Sequence, residues 1–320
     1  MTISFKQLTY FVALAEARSF SIAAARVHIS QPALSQQIKE LEAQLGCLLV
    51  ERLPRDIRLT RAGQTVLDRA QRILTEMRDL EQAVRLQRGL AGRLTLGVIP
   101  TVAPYLLPLA LTRIRARDLT LDIRVREAQT ATLIAGLLDG ALDAAVISLP
   151  LGQAGLVTEP LFEDRFVLAG SSARLAALAD SGIGRPETLP HDQLLLLDEG
   201  HCLADQALEV CGIVSGARQV DLGASSLATL CGLVAEGFGL TFLPEIALRT
   251  ECAAAPGLRL ARFRAPEPAR RLALARRAGS TDESWAADLA AILRDAGAEL
   301  IGHARTHPAM QPAQPGIDQH

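Results

Sequence analysis

The chain has 320 residues, of which 49% are hydrophobic and only 3% aromatic, so Leu, Ala, Val and Ile must fill its core. This length allows two or three compact units, and no apolar run reaches the ~18–20 residues that a membrane-spanning helix needs. Residues 1–90 carry a net charge of +4 and the remainder −6, an asymmetry that fits nucleic-acid contact at one end of the chain.

The first residues of the chain indicate its compartment and therefore the redox environment of its cysteines. Met1–Lys6 lacks the charged and apolar regions of a secretory signal, which predicts a cytoplasmic protein. Five cysteines are an odd number, and in a reducing compartment they argue against a fixed disulfide framework.

Two short helices are predicted at the start of the chain. Apolar residues at helical spacing mark the first over 4–17. Ser21 is a plausible N-cap for the second, over 22–27, and a break follows at His28-Ile29. A further helix after so short a break is typical of a helix-turn-helix.

The third predicted helix carries residues that suit base contacts. Ser30 caps it, Pro32 lies in its first turn, and Gly46 ends it. Away from its apolar stripe it presents Gln31, Ser35, Gln36 and Lys39. Gln can pair with an adenine edge, Ser with several base edges, and Lys with guanine or phosphate. The pattern favours a recognition helix, although an ordinary solvated helix face has a similar composition.

A strand-turn-strand pattern follows this helix and contains Arg52, Arg55, Arg58 and Arg61. Arginines beside a recognition helix suit phosphate contacts, as a wing would make. Residues 61–87 then form a polar helix with one apolar stripe at coiled-coil-like spacing, and such a helix needs a partner surface.

The remaining chain alternates strands with helices after a glycine-rich break at 89–92. The predicted strands lie at 94–99, 121–125 and 144–147, with helices near 106–115 and 132–138. This alternation predicts a parallel α/β sheet. The segment 303–320 is rich in Pro, Gln and His and is predicted to be disordered. Its three histidines do not indicate a metal site, and we expect neither a metal nor an organic cofactor.

Two cysteines in the segment Gly200–Cys211 lie nine positions apart, and His201 directly precedes Cys202. In a continuous helix nine residues turn about 900° and rise about 13.5 Å, which places the two thiols on opposite faces. A disulfide needs Cα atoms within about 7 Å. A Cys202–Cys211 bond would therefore require the helix to unwind, which makes the pair a candidate switch. We expect the other cysteines, Cys47, Cys231 and Cys252, to be inert packing.

Several motifs of the first 63 residues resemble LysR-type transcriptional regulators, namely residues 19–25, 30–35, 41–42 and 59–63. The resemblance implies an α/β protein with three parts and a tail. These are a winged helix-turn-helix over 3–60, a linker and dimerisation helix over 61–90, a regulatory domain over 93–302, and the tail over 303–320. The regulatory domain would be two-lobed and periplasmic-binding-protein-like, with one lobe at about 93–164 plus 268–302 and the other at about 165–267.

The same resemblance implies partners. They are double-stranded DNA at promoter sites, further copies of the chain in a homodimer or homotetramer, and RNA polymerase. The DNA-contacting residues carried over are Ser30, Gln31, Pro32, Ser35, Gln36, Lys39, Arg52 and Arg55.

Within this family the sensor resembles the peroxide-sensing OxyR subfamily, through residues 99–102, 104–108, 127–130, 200–202 with Cys211, 225–230 and 270–280. The resemblance implies that peroxide oxidises Cys202 to a sulfenic acid, which Cys211 captures as a disulfide. It implies that Thr101 and Thr130 hold the peroxide and that Arg277 stabilises the thiolate and the leaving oxygen.

Three further features concern the same site. His201 could favour the thiolate or donate a proton, and Asp205 could orient His201. Ala204 stands where the subfamily often has a basic residue, which predicts a lower reactivity toward peroxide. A thiol reductant of the glutaredoxin or thioredoxin type would reset the switch.

Two other functions fit parts of the sequence. One is a LysR-type regulator that binds a small metabolite between its lobes and carries incidental cysteines. The other is a thiol peroxidase, against which the winged head argues. We expect a peroxide-responsive activator of oxidative-stress genes, with one oxidation per cycle and no enzymatic turnover.

Overall fold

The computed structural model describes residues 3–53, 56–86, 93–117, 122–179, 185–198, 203, 205–206, 209, 224–278 and 284–306. The chain divides into two compact units, Met1–Val84 and Arg85–His320. In these described ranges no helix combines the length and the apolar character needed to cross a bilayer.

The first unit contains the predicted helices and the predicted strand pair. Its elements are α1 (Phe5–Ala17), α2 (Phe20–Arg26), α3 (Gln31–Leu45), β1 (Val50–Leu53), β2 (Asp56–Leu59) and α4 (Arg61–Leu86). Phe11, Leu14, Leu34, Ile38 and Leu41 are fully buried and hold the three short helices together. β1 and β2 pair antiparallel.

The second helix begins two residues earlier than the sequence predicts. Ser19, not Ser21, is its N-cap, because Ser19 has an extended backbone and its Oγ accepts a hydrogen bond from the Ile22 amide at 3.5 Å. Phe20 packs against the core of this unit, which places the start of the helix there and leaves Ser21 within its first turn. The predicted break after the helix is confirmed, since His28 adopts a φ of 55°.

Polar contacts join α3 to β1 and cap the start of α4. The Glu42 carboxylate accepts hydrogen bonds from the amides of Leu49 (2.8 Å) and Val50 (3.2 Å). Thr60 Oγ1 accepts from the Gly63 amide at 2.9 Å and so caps α4. Gly63 has no room for a side chain, because a Cβ there would lie 2.0 Å from the Leu49 carbonyl oxygen. These contacts give the motif residues Glu42, Thr60 and Gly63 a structural role.

The second unit is an α/β structure. Its strands are β3 (Arg93–Val98), β4 (Asp122–Glu127), β5 (Ala144–Leu149), β6 (Leu156–Ser171), β7 (Leu240–Pro244), β8 (Leu258–Ala261) and β9 (Ala269–Arg277). Its helices are α5 (Ala103–Arg117), α6 (Thr130–Leu138), α7 (Ser172–Ala179), α8 (Leu227–Ala235), α9 (Leu248–Ala254) and α10 (Ser284–Arg305).

The sheet is mixed, and the predicted parallel order is correct for only part of it. In the described strands the order is β4-β3-β5-β9-β6-β7, with β8 also pairing β6. β3 is parallel to β4 and β5, as predicted. β9 is antiparallel to both β5 and β6, because the chain comes back to this part of the sheet from the elements of the second lobe and not through a single strand-helix-strand crossover.

The long strand β6 passes through both lobes. Its first half, up to Arg165, pairs with β9, and its second half, from Phe166, pairs with β7 and β8. The partner change falls within one residue of the predicted lobe boundary at 164–165. The hydrogen bond from the Phe166 amide to the Pro268 carbonyl (2.8 Å) marks the same point on the returning chain.

The last helix extends beyond the predicted start of the tail. α10 continues to Arg305, and Ala304 is buried, so residues 303–305 belong to the packed structure. An apolar stripe that includes Ile301 and Ala304 keeps the helix on the core. Residues 307–320, with two of the three tail histidines, lie outside the described residues.

Candidate functional site

Two predicted peroxide-binding threonines lie at one edge of the sheet. β3 and β4 are parallel and in register, with Val98 opposite Glu127. Thr101 follows the first strand by three residues and Thr130 follows the second by three. Because the carboxyl ends of parallel strands meet at one edge, the sheet brings Thr101 and Thr130 together, at the edge where ligands of open α/β sheets bind.

The two threonines differ in their hydrogen bonds. Thr101 is buried, and its Oγ1 accepts a hydrogen bond from Arg270 Nη1 at 2.7 Å. Thr130 Oγ1 is also shielded from solvent, and no partner for it is found in the part of the chain that the structure describes. A buried hydroxyl without a partner carries a desolvation cost, which a small polar ligand would remove.

Arg270 belongs to a fully buried ion pair. Its Nε and Nη2 each lie 2.9 Å from Asp164 Oδ2, and its Nη2 also donates to the Thr101 carbonyl at 3.1 Å. Burial raises the pKa of Asp164 above its ordinary value, and the contact with Arg270 limits that rise. The sequence analysis did not single out either residue, since a charged residue within a strand gives no sign of being buried.

The structure separates Arg277 from this edge. Arg270 lies near the start of β9 and Arg277 at its end, seven residues away, which corresponds to about 23 Å along the strand. Arg277 Nη1 donates to the Leu137 carbonyl at 3.1 Å, at the end of α6 remote from Thr130. The structure thus places Arg277 apart from Thr101, and the direction of β9 puts Arg270 beside Thr101 instead.

The segment with the two predicted redox cysteines starts and ends beside the same edge. The Asp198 amide donates to the Ala224 carbonyl at 3.0 Å, which holds the two ends of this segment together. Within it, Leu203 is buried in the core, and Gln206 Nε2 donates to Ser148 Oγ. Ser148 lies near the end of β5, which is parallel to β3, so it belongs to the edge that carries Thr101 and Thr130.

The chemistry-bearing residues of this segment are only partly described. His201, Cys202, Ala204 and Cys211 lie outside the described residues. Asp205 is helical and exposed to solvent, and Leu203, Gln206 and Glu209 are helical as well. At these four positions the structure has the helical state that the sequence analysis considered for the segment.

A cavity of about 130 Å³ opens between the lobes at this edge. Thr101, Tyr105 and Glu127 line it from one lobe, and Leu197, Ser225 and Glu251 line it from the other. Ligand pockets for drug-sized molecules have volumes of roughly 300–1,000 Å³. The described part of this cavity therefore suits a molecule much smaller than a drug.

A buried hydrogen bond joins the two lobes beside the cavity. Tyr105 in α5 donates its hydroxyl hydrogen to Glu251 Oε1 in α9 at 2.6 Å. Burial raises the pKa of the Tyr105 hydroxyl, so it stays protonated and can act as the donor. This contact helps to fix the lobes around the cavity.

The three remaining cysteines are free, and they differ in exposure. Cys231 is fully buried, as predicted, and burial raises the pKa of its thiol, which disfavours the reactive thiolate. Burial also raises the pKa of the partly exposed Cys252. Cys47 is exposed, so the prediction of buried packing is wrong there, because the chain turns outward after Gly46 at the end of α3.

The candidate DNA-binding residues lie on and around α3. Ser30 caps the helix through a hydrogen bond from the Ala33 amide to its Oγ at 3.3 Å. Pro32 lies in the first turn, as predicted. The predicted contact face contains the exposed residues Gln31, Pro32, Gln36 and Lys39 and the half-buried Ser35.

The arginines of the wing are partly described. The backbone of Arg52 lies in β1 and Arg58 is exposed in β2, while Arg55 lies outside the described residues. The paired strands therefore place Arg52 and Arg58 on the ribbon that follows α3 in the chain.

Comparisons with known proteins agree with both units. Residues 5–64 match the family described as bacterial regulatory helix-turn-helix protein, lysR family, and residues 87–298 match the LysR substrate binding domain. A probable hydrogen peroxide-inducible genes activator from Streptomyces viridosporus is 43% identical over 304 residues, covering 93% of this chain and 95% of that protein.

Solved structures give the same result. A full-length OxyR variant from Pseudomonas aeruginosa matches with a TM-score of 0.69 and 33% identity, covering 92% of this chain and 98% of that one. A hydrogen-peroxide-bound OxyR mutant from Corynebacterium glutamicum matches with a TM-score of 0.60 and 34% identity, covering 98% and 99%. The chain thus belongs to the LysR family of DNA-binding transcriptional regulators and, within it, to the peroxide-sensing OxyR subfamily.

Proposed function

We propose that this chain is a transcriptional activator of oxidative-stress genes that hydrogen peroxide switches on by driving formation of a Cys202–Cys211 disulfide. The observation that carries the proposal is the shared sheet edge. Thr101 and Thr130 lie there, and the hydrogen bond from Gln206 to Ser148 holds the cysteine-bearing segment at the same edge.

The proposed chemistry has two steps. The Cys202 thiolate attacks one peroxide oxygen, an S–O bond forms, the O–O bond breaks, and hydroxide leaves and takes a proton from solvent to become water. The Cys211 thiol then attacks the sulfenic acid at Cys202, a disulfide forms, and a second water leaves. The thiols lose two electrons and peroxide gains them, so each reduced subunit consumes one peroxide.

The arrangement of hydroxyls supports a role in holding the peroxide. In the proposal Thr101 and Thr130 bind the peroxide oxygens, and Arg270 acts through Thr101 in place of the predicted Arg277. His201 assists the proton movement, and Asp205 orients His201. Because Asp205 is exposed, its contribution is expected to be smaller than that of the buried Thr101.

The proposed assembly follows from the linker helix. α4 leaves Ile73 and Leu80 exposed, at 45% and 68% of their full surface, and a second copy of the helix would cover them. We propose a homodimer or homotetramer on promoter DNA, in contact with RNA polymerase and reset by a glutaredoxin- or thioredoxin-type reductant. In this proposal the protein is a sensor that reacts once per cycle, with no sustained enzymatic turnover.

The direct test is mass spectrometry of the reduced full-length chain after about one equivalent of hydrogen peroxide, with free thiols trapped. The expected result is a two-hydrogen mass loss that links the Cys202 and Cys211 peptides, while Cys231 remains a thiol. The Cys211→Ser variant should stop at the sulfenic acid, and Cys47→Ser should behave as the unsubstituted protein.

The same experiment distinguishes the two other functions. Unchanged thiols at Cys202 and Cys211 would contradict the switch and favour a small ligand in the cavity between the lobes. Consumption of peroxide far above one equivalent per subunit for each reduction would favour a thiol peroxidase.

A further inference from the structure

The Asp164–Arg270 ion pair makes further contacts with a backbone amide and an aromatic ring. The Asp164 carboxylate contacts Arg270 through Oδ2 and accepts a hydrogen bond from the Ile246 amide through Oδ1 at 3.2 Å. Both side chains of the pair have no solvent exposure, and the guanidinium carbon lies 6.0 Å from the centre of the Phe166 ring. A buried charge in such a setting depends on its partner, because no water can replace it.

This pairing fixes the plane of the guanidinium group. Arg270 uses Nε and Nη2 on Asp164, so the plane of the guanidinium is set, and one of the two N–H groups of the remaining nitrogen, Nη1, points in a fixed direction. That direction leads to Thr101 Oγ1, at 2.7 Å, while Nη2 also reaches the Thr101 carbonyl. The carboxylate of Asp164 therefore determines how Arg270 meets Thr101.

The contact has a consequence for the proton of the Thr101 hydroxyl. A threonine hydroxyl has one hydrogen to donate and can also accept. Since Arg270 donates to Thr101 Oγ1, the oxygen acts as acceptor on that side, and the threonine hydrogen must point elsewhere. Within the described residues no hydrogen bond donated by the Thr101 hydroxyl is found, and Thr101 lines the cavity.

We infer that Asp164 is a positioning residue, which through Arg270 fixes Thr101 as a hydrogen-bond donor into the cavity. This inference rests on the proposed function, in which Cys202 attacks a peroxide bound there. The hydroxide that leaves when the O–O bond breaks develops negative charge, and a donor already aimed at it stabilises the transition state. Removal of one such donor from other enzymes slows the reaction by about 10²–10³.

The test uses two reagents on the reduced full-length chain, with thiols quenched and quantified at Cys202. Hydrogen peroxide needs stabilisation of a leaving hydroxide, whereas iodoacetamide reports access to the thiolate without that need. We expect Asp164→Asn to react with peroxide at least about tenfold more slowly and with iodoacetamide within about twofold of the unsubstituted rate. The matched control is Glu163→Gln, which removes an exposed carboxylate from the adjacent position of β6 and should leave both rates unchanged.

A second measurement separates positioning from folding. If Asp164→Asn does not fold, Asp164→Glu keeps the charge and displaces it by one methylene, and it should show the same selective loss of the peroxide rate. In the double variant Asp164→Asn/Thr101→Val, the loss should not exceed that of Thr101→Val alone, because both changes remove one donor.

Three outcomes would contradict the inference. Equal losses with both reagents would show that Asp164 only maintains the fold. An unchanged peroxide rate in the Asp164 variants would show that Thr101 needs no positioning. Finally, if Cys202 of the unsubstituted chain does not react with peroxide, the proposed function fails and the inference fails with it. In the first two outcomes the unsubstituted chain still reacts with peroxide, so there only the inference about Asp164 fails.

Discussion

The DNA-binding unit and the sensor unit present their functional residues in opposite ways. In the first, six of the eight predicted contact residues lie within ten consecutive positions of one helix and its cap, from Ser30 to Lys39, and most of these six are exposed. In the second, Thr101, Thr130, Asp164 and Arg270 come from four separate parts of the chain, and their polar contacts are buried.

This difference determines what each site depends on. A residue on an exposed helix face can change with little effect on folding, so its loss should appear only in binding. A buried polar residue is part of the core, so its loss should affect the free energy of unfolding as well as the chemistry. The following substitutions test this contrast, from the largest expected effect to the smallest.

The largest effect is expected at Arg270, near the start of β9, and a much smaller one at Arg277, at the end of the same strand. Arg270→Ala leaves the buried Asp164 carboxylate without its partner and should lower the free energy of unfolding by about 3–5 kcal/mol. Arg277→Ala removes a contact to the Leu137 carbonyl and should cost about 0.5–1.5 kcal/mol. Urea unfolding of the reduced chain can be followed by the fluorescence of Trp285, which is the only tryptophan in the sequence and is buried in the sensor unit. Equal losses of unfolding free energy in the Arg270→Ala and Arg277→Ala variants would contradict the assignment of Arg270 to the site.

Substitutions on the exposed face of the recognition helix α3 should change DNA binding and leave the free energy of unfolding nearly unchanged. Gln31→Ala is expected to reduce the preference for operator over random DNA by about 1–3 kcal/mol, because it removes one base contact. Gln37→Ala, on another face of α3, is the matched control and should leave the preference unchanged. Fluorescence anisotropy at one fixed salt concentration measures both affinities. If the Gln31 variant loses affinity equally for both DNAs, Gln31 contacts phosphate and not a base.

A smaller effect on stability is expected at the start of α2. Ser19→Ala removes the N-cap and should destabilise that helix by about 1 kcal/mol. Ser21→Ala should cause no loss and could gain a few tenths of a kcal/mol, since Ala is the better helix former. Hydrogen exchange of the α2 amides in the full-length chain measures both effects. A loss for Ser21→Ala equal to that for Ser19→Ala would mean that the helix begins where the sequence first suggested.

The smallest change in stability is expected at Thr130. Its Oγ1 is buried without a partner among the described residues, so Thr130→Val should leave the free energy of unfolding unchanged or raise it by up to about 1 kcal/mol. The rate of Cys202 oxidation by peroxide should nevertheless fall severalfold, because one of the proposed peroxide ligands is lost. An unchanged oxidation rate would remove Thr130 from the site.

The features that were predicted correctly from the sequence are the local ones, and those that depend on contacts between distant residues were missed. The helices around the recognition face were predicted almost to the residue, because caps such as Ser30 and ends such as Gly46 are local signals. The strands β3 to β5 and their helices were also predicted, since apolar periodicity is local too. Arg277 was named and Arg270 was not considered, because nothing within the segment 270–280 shows which end of the strand lies beside Thr101.

The sequence by itself determined the family and the order of the elements up to β5, and it proposed Cys202 and Cys211 as the redox pair, since these depend on local patterns and on residue spacing. Only the tertiary structure decided that β9 runs antiparallel to β5, that Arg270 meets Thr101, and that Asp164 holds Arg270 in place. Those contacts join residues more than one hundred positions apart. They exist because strand pairing and burial bring distant charges together, and buried charges must find partners.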